Sequence, residues 1–559
     1  MQLPKYEVGK TTIGQLVDIV AQQFSDSKAL EYHKLGINYN YRQFRDVCNS
    51  VAKGLIALGI KKGENIAIWA NNVPEWVLTQ YGSAKMGAVL VTVNTNYRSF
   101  ELEYLMKQSE STTLLMIGGV RTPTEYLEVI NDVCPELAGS KPGELKSKKL
   151  PMLKNVIFLG DETPAGMFNW KDVMEMGKEV PDAALEDRQL SLGPDDVINM
   201  QYTSGTTGFP KGVMLSHTNL IGNAKSLGEC MQLSSIDTLC IPVPFFHCFG
   251  CVLGTLTCVV SAAAMAPVVA FKPEDVLETV EVSQCTALHG VPTMFIAELE
   301  AMQKKKYDTS KLRTGIMAGS PCPIEVMKQV VGVMGAKEMC ITYGQTEASP
   351  GITMTRTTDS LELRVSTVGK ALPNVEVKII DPVTNEPVEP GVQGELCTRG
   401  YHVMKGYFKN PEGTSQAIDD DGWLHTGDLA MMDKNGYCKI TGRIKDMIIR
   451  GGENIYPREI EEFLYTNQQI KDVQVVGIPS IKYGEEVAAF VQLRDGVNAT
   501  DAELKAFCKD KIAFHKIPAF FFVVNDYPTT ASGKIQKYKL RQQATVDLGR
   551  EDAAKVQTA

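Results

Sequence analysis

Three glycines, four small hydroxyls and one lysine are gathered in Tyr202-Thr-Ser-Gly205-Thr-Thr-Gly208-Phe-Pro-Lys211-Gly212. Glycines permit positive backbone φ and close approach, so the peptide N–H groups of such a stretch can fold around an anion. It reads as a phosphate-cradling loop. Its spacing differs from the G-x-x-x-x-G-K-[ST] of P-loop NTPases, because Lys211 follows Gly208 by three residues and is itself followed by Gly212. Other segments carry candidate chemistry: Tyr343-Gly-Gln-Thr-Glu347, Asp421-Gly-Trp-Leu-His-Thr-Gly-Asp428, Gly442-Arg443-Ile-Lys445-Asp446, Arg450-Gly451-Gly452-Glu453-Asn454 and Ser532-Gly533-Lys534. Taken singly, each is as easily a solvated turn, a helix cap or a surface arginine.

The elements that must position these residues follow from periodicity. Apolar residues recur at helical spacing over 11–26, and 29–32 with 38–41 alternate like a hairpin. A helix over 41–58, a strand over 65–69, a helix over 74–86 and a strand over 88–93 give β-α-β alternation. That pattern implies a parallel sheet with helices on both faces. Residues 138–149 are rich in Lys, Gly and Ser and read as an exposed loop. Asp196-Val-Ile-Asn-Met-Gln-Tyr202 delivers the chain as a strand into the phosphate loop, and Ser216-His217-Thr-Asn219 starts the next helix with capping residues. A loop at the carboxyl end of a strand is where open α/β sheets bind ligands. Beyond Leu363, short alternating strands (375–380, 394–400, 436–441) between Pro, Gly, Asn and Asp turns suggest a small β-subdomain. A self-contained run with its own β and α signals follows Gly442, which places a domain boundary near Arg443 to Asp446.

With 559 residues and about 150 per domain as a guide, three or four units are expected. A net charge of -9 argues against nucleic acid or an acidic membrane surface as the main partner, leaving a small molecule. The thirteen cysteines are scattered and odd in number, as in a reduced intracellular protein. Cys248 and Cys251 form the CxxC pair but lack the further ligands of a metal site, and are better read as small core residues. The opening Met1-Gln-Leu-Pro-Lys-Tyr-Glu has no basic segment followed by an apolar run, so the expected location is cytoplasmic. Residues 241–271 carry no Asp, Glu, Lys or Arg and are long enough to cross a bilayer, yet Pro242, Pro244, Gly250, Gly254 and Pro267 interrupt them. Buried helix and strand are expected there, not a transmembrane span.

Together and in this order, the segments resemble the adenylate-forming acyl-CoA synthetase family, which includes luciferases and the adenylation domains of peptide synthetases. The opening loop matches that family's Y-T-S-G-T-T-G-x-P-K-G signature at every fixed position, and matching segments continue to Lys534. One departure is Thr529, in Pro528-Thr529-Thr530-Ala-Ser-Gly-Lys534, where Lys or Arg is common; it puts one peripheral phosphate or CoA contact in doubt. The resemblance implies an α/β fold: a large N-terminal domain (1–444) of stacked α/β sheets with a β-subdomain over about 365–444, and a smaller, mobile α+β C-terminal domain (445–559). It implies a two-step ligase in which carboxylate and MgATP give acyl-AMP and pyrophosphate, after which CoA displaces AMP.

The residue roles carried over by resemblance follow the charge. Attack of a carboxylate on the α-phosphate brings two anions together, so positive charge and fixed N–H donors are needed where charge accumulates. Thr203, Ser204, Gly205, Thr206, Thr207, Gly208 and Lys211 would hold the β- and γ-phosphates. Glu347, with Thr206, would position Mg²⁺, which prefers hard oxygen ligands. Tyr343 would stack on adenine, with Gly319, Ser320, Pro321 and Cys322 along its other face and Gly344, Gln345 and Thr346 beside it. Asp428 would accept the ribose hydroxyls, Arg443 would contact ribose or phosphate, and Lys534 would bridge the carboxylate and the α-phosphate. The C-terminal domain would rotate about Lys445 between half-reactions, bringing Gly451, Gly452 and Glu453 to the CoA channel.

For the acid, Gly344 stands where acetate-using relatives carry a tryptophan, which suggests room for a larger acyl group. His247, Gly319 and Gly344 are the expected pocket residues, and no Asp stands near His247 to pair with an amino-acid substrate. A medium-chain fatty acid is the first expectation and an aryl or alicyclic acid the second; a homodimer is a candidate assembly. Two other classes stand beside the ligase: a non-catalytic nucleotide sensor on this fold, and an unrelated ATPase, which the non-Walker spacing disfavours.

Overall fold

The computed structural model describes residues 2–203, 210–319, 322–450, 453–509, 511–512, 514–530 and 535–554, with the backbone alone at 445, 453, 454 and 554. The chain divides into two compact units, Met1–Val377 with Thr398–Leu424 and Lys378–Cys397 with His425–Ala559.

The first unit holds the β-α-β alternation that the sequence predicts. One sheet has eight strands in the order Gly406–Tyr407, Lys211–Ser216, Val197–Thr203, Val89–Thr92, Asn65–Trp69, Thr113–Met116, Asn155–Phe158 and Phe168–Asn169. From Val197–Thr203 onward the pairs are parallel, whereas the first three strands pair antiparallel. A second sheet of nine strands is parallel through its centre, from Lys28–Tyr32 to Glu338–Gly344.

Alternation along the strands shows why both faces must be covered. Ile66 and Ile68 belong to the same apolar cluster as Leu239 and Ile241 of the other sheet, together with the helices Ile13–Gln23, Tyr41–Ala57 and Pro74–Met86. Their neighbours Ala67 and Trp69 belong to a cluster on the opposite face, and Cys240 to a third. Every residue of Pro74–Met86 but Glu75 is buried, as expected of a helix lodged between two layers, and its one ammonium, Lys85, meets Asp18 at 2.5 Å.

The uncharged stretch over 241–271 is buried structure, as expected: a π-helix at Phe249–Leu256, a helix at Thr257–Ser261 and a strand at Ala264–Pro267. No helix of the described residues is long and apolar enough to cross a membrane. Between the glycine-rich loop and the next helix stands a strand that the sequence reading did not include, Lys211–Ser216, which pairs back on Val197–Thr203. Only then does the helix His217–Met231 begin, with Ser216 and Asn219 forming the expected capping box.

The four strands Val375–Ile380, Gln393–Gly400, Leu424–Met432 and Cys438–Arg443 form the small sheet expected after Leu363. In the second unit, the long hairpin of Ile470–Ser480 and Gly484–Leu493 is the spine of a five-stranded sheet. Val473, Val475, Val487 and Ala489 pack with Ile460, Leu464 and Leu504 on one face, while Val476, Ile478, Ala488 and Phe490 meet Leu540 and Ala544 on the other. All thirteen cysteines are free thiols, and all but Cys322 are buried. Burial pushes the thiols of Cys230 and Cys508 up to about 11 and those of Cys251, Cys340 and Cys438 up to about 12.

Candidate active site

In the first unit the phosphate loop is held at its two feet. Thr203 and Lys211 are direct partners across the antiparallel pair Val197–Thr203 and Lys211–Ser216, with Tyr202 opposite Gly212. Directly opposed residues share a sheet face, so the Thr203 and Lys211 side chains emerge on the same side. Ser204, Gly205, Thr206, Thr207 and Gly208 lie outside the described residues. The edge strand Gly406–Tyr407 extends this face, because Tyr407 stands opposite Val213, two residues from Lys211.

Glu347 comes to the same place from the other sheet. Strand Glu338–Gly344 ends at a turn, and the short 3-10 helix Thr346–Ala348 follows. The Tyr407 hydroxyl donates to Glu347 Oε1 at 2.8 Å, and Thr203 Oγ1 donates to the same oxygen at 3.4 Å. The backbone N–H of Met404 donates to the Glu347 carbonyl at 2.9 Å, so the segment before Tyr407 is tied to the carboxylate's own main chain. The ammonium of Lys211 lies 4.9 Å from the centre of the Tyr407 ring. Burial and the neighbouring Glu347 charge push the Tyr407 phenol well above its ordinary range, so it remains a donor.

Tyr343 and Gly344 end the strand that leads to Glu347, and Gln345 and Thr346 make the turn into its 3-10 helix. Gly344 has a backbone reason for being glycine: a Cβ there would stand 1.8 Å from the Pro350 carbonyl oxygen, while Gln345 N donates to that same oxygen at 2.9 Å. The turn closes on itself too tightly for a side chain. Asn223, on the helix His217–Met231, clamps the return strand, with Nδ2 donating to the Gly351 carbonyl at 2.8 Å and Oδ1 accepting from its N–H at 3.0 Å. Gly319 has φ +88°, in the left-handed region that favours glycine, and Ser320 and Pro321 lie outside the described residues. His247 Nδ1 accepts from Phe249 N at 3.1 Å, so the ring caps the start of the buried π-helix Phe249–Leu256. π-helical turns are frequent at functional sites.

In the second unit, Asp428 and Arg443 are direct cross-strand partners, and Arg443 Nε donates to Asp428 Oδ1 at 2.8 Å. The carboxylate is buried and the guanidinium half-exposed. A brace holds the turn before Asp428: Glu395 Oε1 accepts from Gly427 N at 2.9 Å, its Oε2 pairs with His425 Nδ1 at 3.1 Å, and Thr426 Oγ1 donates to the Leu396 carbonyl at 2.6 Å. Glu395, Cys397 and His425 have donor atoms within 4.8 Å of one another, but both oxygens of this carboxylate already take hydrogens. The trio is accounted for by hydrogen bonding.

Lys445 lies in the 3-10 turn Ile444–Asp446, and Glu453 begins the strand Glu453–Ile455. Gly451, Gly452 and Lys534 lie outside the described residues. Their flanks are set: Arg450 is opposite Glu453, and Thr529 is opposite Ile535. Sequence reasoning missed Tyr407 and Glu395. Tyr407 sits in a two-residue strand too short to show a period, and Glu395 reaches its partners 30 and 32 residues away.

Comparisons with known proteins bear on the family and the fold. The AMP-binding enzyme model matches residues 17–408, and the AMP-binding enzyme C-terminal domain model matches residues 459–534. The chain is 58% identical over 542 residues to YngI of Bacillus subtilis (strain 168), a protein provisionally named an acyl-CoA synthetase, covering 97% of this chain and 98% of that one. It is 41% identical over 550 residues to the mitochondrial medium-chain acyl-CoA ligase ACSF2 of Danio rerio, covering 98% and 90%. Among solved structures, ATP-bound MatB from Rhodopseudomonas palustris superposes with a TM-score of 0.82 at 26% identity, covering 96% of this chain and 100% of that one.

Proposed function

We propose, from the premise that this chain belongs to the AMP-binding enzyme family and is a CoA ligase, that it joins a medium-chain fatty acid to coenzyme A using MgATP. The observation that carries the reading is the meeting of Thr203, Lys211, Tyr407 and Glu347 on one face at the feet of the glycine-rich loop. An ammonium suits a phosphate, and a carboxylate beside two hydroxyls offers the hard oxygens that Mg²⁺ takes. The residues therefore fit a magnesium-bound nucleotide tail, with Glu347 holding the ion and Lys211 a terminal phosphate. Bound there, the ion would neutralise charge on the departing pyrophosphate.

The chain's own residues do the rest. The carboxylate oxygen of the acid attacks the α-phosphorus; the bond to the β-phosphate oxygen breaks, and pyrophosphate leaves with its electron pair. Lys534 would supply positive charge to the α-phosphate as negative charge builds there. Asp428 accepts the ribose hydroxyls, held by Arg443 and by the Glu395 brace behind it. In the second step the CoA sulfur attacks the acyl carbon, the bond to AMP breaks, and the thiol proton passes to solvent. Rotation about Lys445 separates the two steps.

Similarity to a medium-chain acyl-CoA ligase favours an aliphatic acid of middle length. ATP–pyrophosphate exchange, measured over short, medium, long, aromatic and alicyclic acids, tests this directly. The highest kcat/KM is expected with medium chains, falling by about tenfold for every one or two methylenes outside the optimum. A preference for an aryl acid would overturn the chain-length reading; exchange with no acid in the panel would overturn the ligase itself.

A further inference from the structure

Among the described residues, Lys211 and Glu347 approach opposite ends of one side chain, and no ion pair joins them. Tyr407 is the group between. Its ring face carries the Lys211 ammonium at 4.9 Å and its hydroxyl donates to Glu347 Oε1 at 2.8 Å. Sheet register makes this arrangement: Thr203, Lys211 and Val213 emerge on one face, and Tyr407 is opposite Val213, so the ring lies diagonally beside Lys211. A lysine and a glutamate this near would otherwise pair with each other, neutralising the cation meant for phosphate and the anion meant for metal.

We propose that Tyr407 is a positioning residue that spaces Lys211 from Glu347, giving the ammonium a ring face and the carboxylate a hydroxyl so that each remains available to the nucleotide's phosphates and its divalent ion. The two contacts suit their partners: a cation is attracted to the face of an aromatic ring, and a carboxylate oxygen accepts from a phenol. Thr203 bonds the same oxygen, so both donors turn one lobe of the carboxylate toward the sheet. The inference rests on the ligase reading, since it presumes that phosphates and a metal arrive at this face.

The test uses binding to the full-length protein. Calorimetric titration with ATP in the absence of metal reads the ammonium, and electron paramagnetic resonance of Mn²⁺ added with ATP reads the carboxylate. Tyr407→Phe keeps the ring and loses the hydroxyl; it is expected to weaken Mn²⁺ by about tenfold, the loss of one charge-assisted hydrogen bond, with metal-free ATP affinity unchanged. Tyr407→Leu removes the spacer, so both affinities are expected to fall. Adding Glu347→Gln to Tyr407→Leu is expected to restore metal-free ATP affinity, because Lys211 then has no charged partner to collapse upon. Wild-type Mn²⁺ affinity in Tyr407→Phe, or no restoration in the double variant, would overturn the spacer. Failure of the wild-type protein to bind ATP at all would instead overturn the function on which it rests.

Discussion

At the scale of single residues, Asp428 and Arg443 show how a functional group is held ready. Cross-strand pairing commits one carboxylate oxygen to the guanidinium at 2.8 Å, and the brace from Glu395 fixes the turn at Gly427. Two ribose hydroxyls bonded to such a carboxylate contribute enough that Asp428→Ala should lower kcat/KM for ATP by about a hundredfold or more. The sharper measurement is discrimination: the wild-type protein should prefer ATP to 2′-deoxy-ATP and the variant should not, and equal discrimination in both would remove Asp428 from the ribose. Glu298 tells of stability. It is fully buried on the helix Pro292–Lys304, neither carboxyl oxygen has a hydrogen-bond partner among the described residues, and burial pushes its pKa from 4.5 up to about 8. The folded protein therefore prefers the neutral acid. That stability is fully present below about pH 4.5 and is lost as pH rises through about 8, at about 1.4 kcal/mol per unit. Glu298→Gln stays neutral throughout, so its melting temperature relative to wild type should climb across that window and then level off. A constant difference would mean that the carboxyl is not buried as described.

At the scale of elements, the helices and the long strands were legible in the sequence because their apolar periods are long. The helix Tyr41–Ala57, the strand Asn65–Trp69 and the helix Pro74–Met86 stand where the pattern puts them. Pairing was not legible. Nothing in Lys211-Gly-Val-Met-Leu-Ser216 says that it folds back on Val197–Thr203, yet that hairpin is what brings Thr203, Lys211 and Tyr407 to one face. Likewise, Asp428 and Arg443 were both readable as candidates, while their direct opposition depends on strand register. The turn after Glu338–Gly344 gives a further contrast. Sequence reasoning read Gly344 as open space for an acyl chain; the Pro350 carbonyl, 1.8 Å from any Cβ there, supplies a reason in the backbone itself. Gly344→Ala should therefore cost about 1–3 kcal/mol of stability and depress turnover of all acids alike. A changed order of preference among chain lengths, with stability intact, would return Gly344 to the acyl pocket.

At the scale of the whole molecule, two compact units each carry part of the residue set: Thr203, Lys211, Glu347 and Tyr407 in one, Asp428, Arg443 and the segment leading to Lys534 in the other. The proposed two-step chemistry would assign Lys534 to adenylate formation alone. Lys534→Ala should abolish acid-dependent pyrophosphate exchange, a loss of about 10² to 10³ or more, yet still turn supplied acyl-AMP and CoA into thioester. Lys445→Pro should do the reverse, because proline fixes φ at the turn Ile444–Asp446. Equal loss of both half-reactions in either variant would contradict the division of labour. The burial of the thiols bears on the same chemistry from another side. A thioester can be intercepted by any competing thiolate, and a protein that makes one exposes its product to its own sulfur. Here twelve of the thirteen cysteines are buried, and several are held as neutral thiols with pKa values of about 11 to 12. A neutral, inaccessible thiol is a poor nucleophile. Transthioesterification onto these twelve sulfurs is thereby disfavoured, which leaves Cys322 as the thiol to watch for acylation.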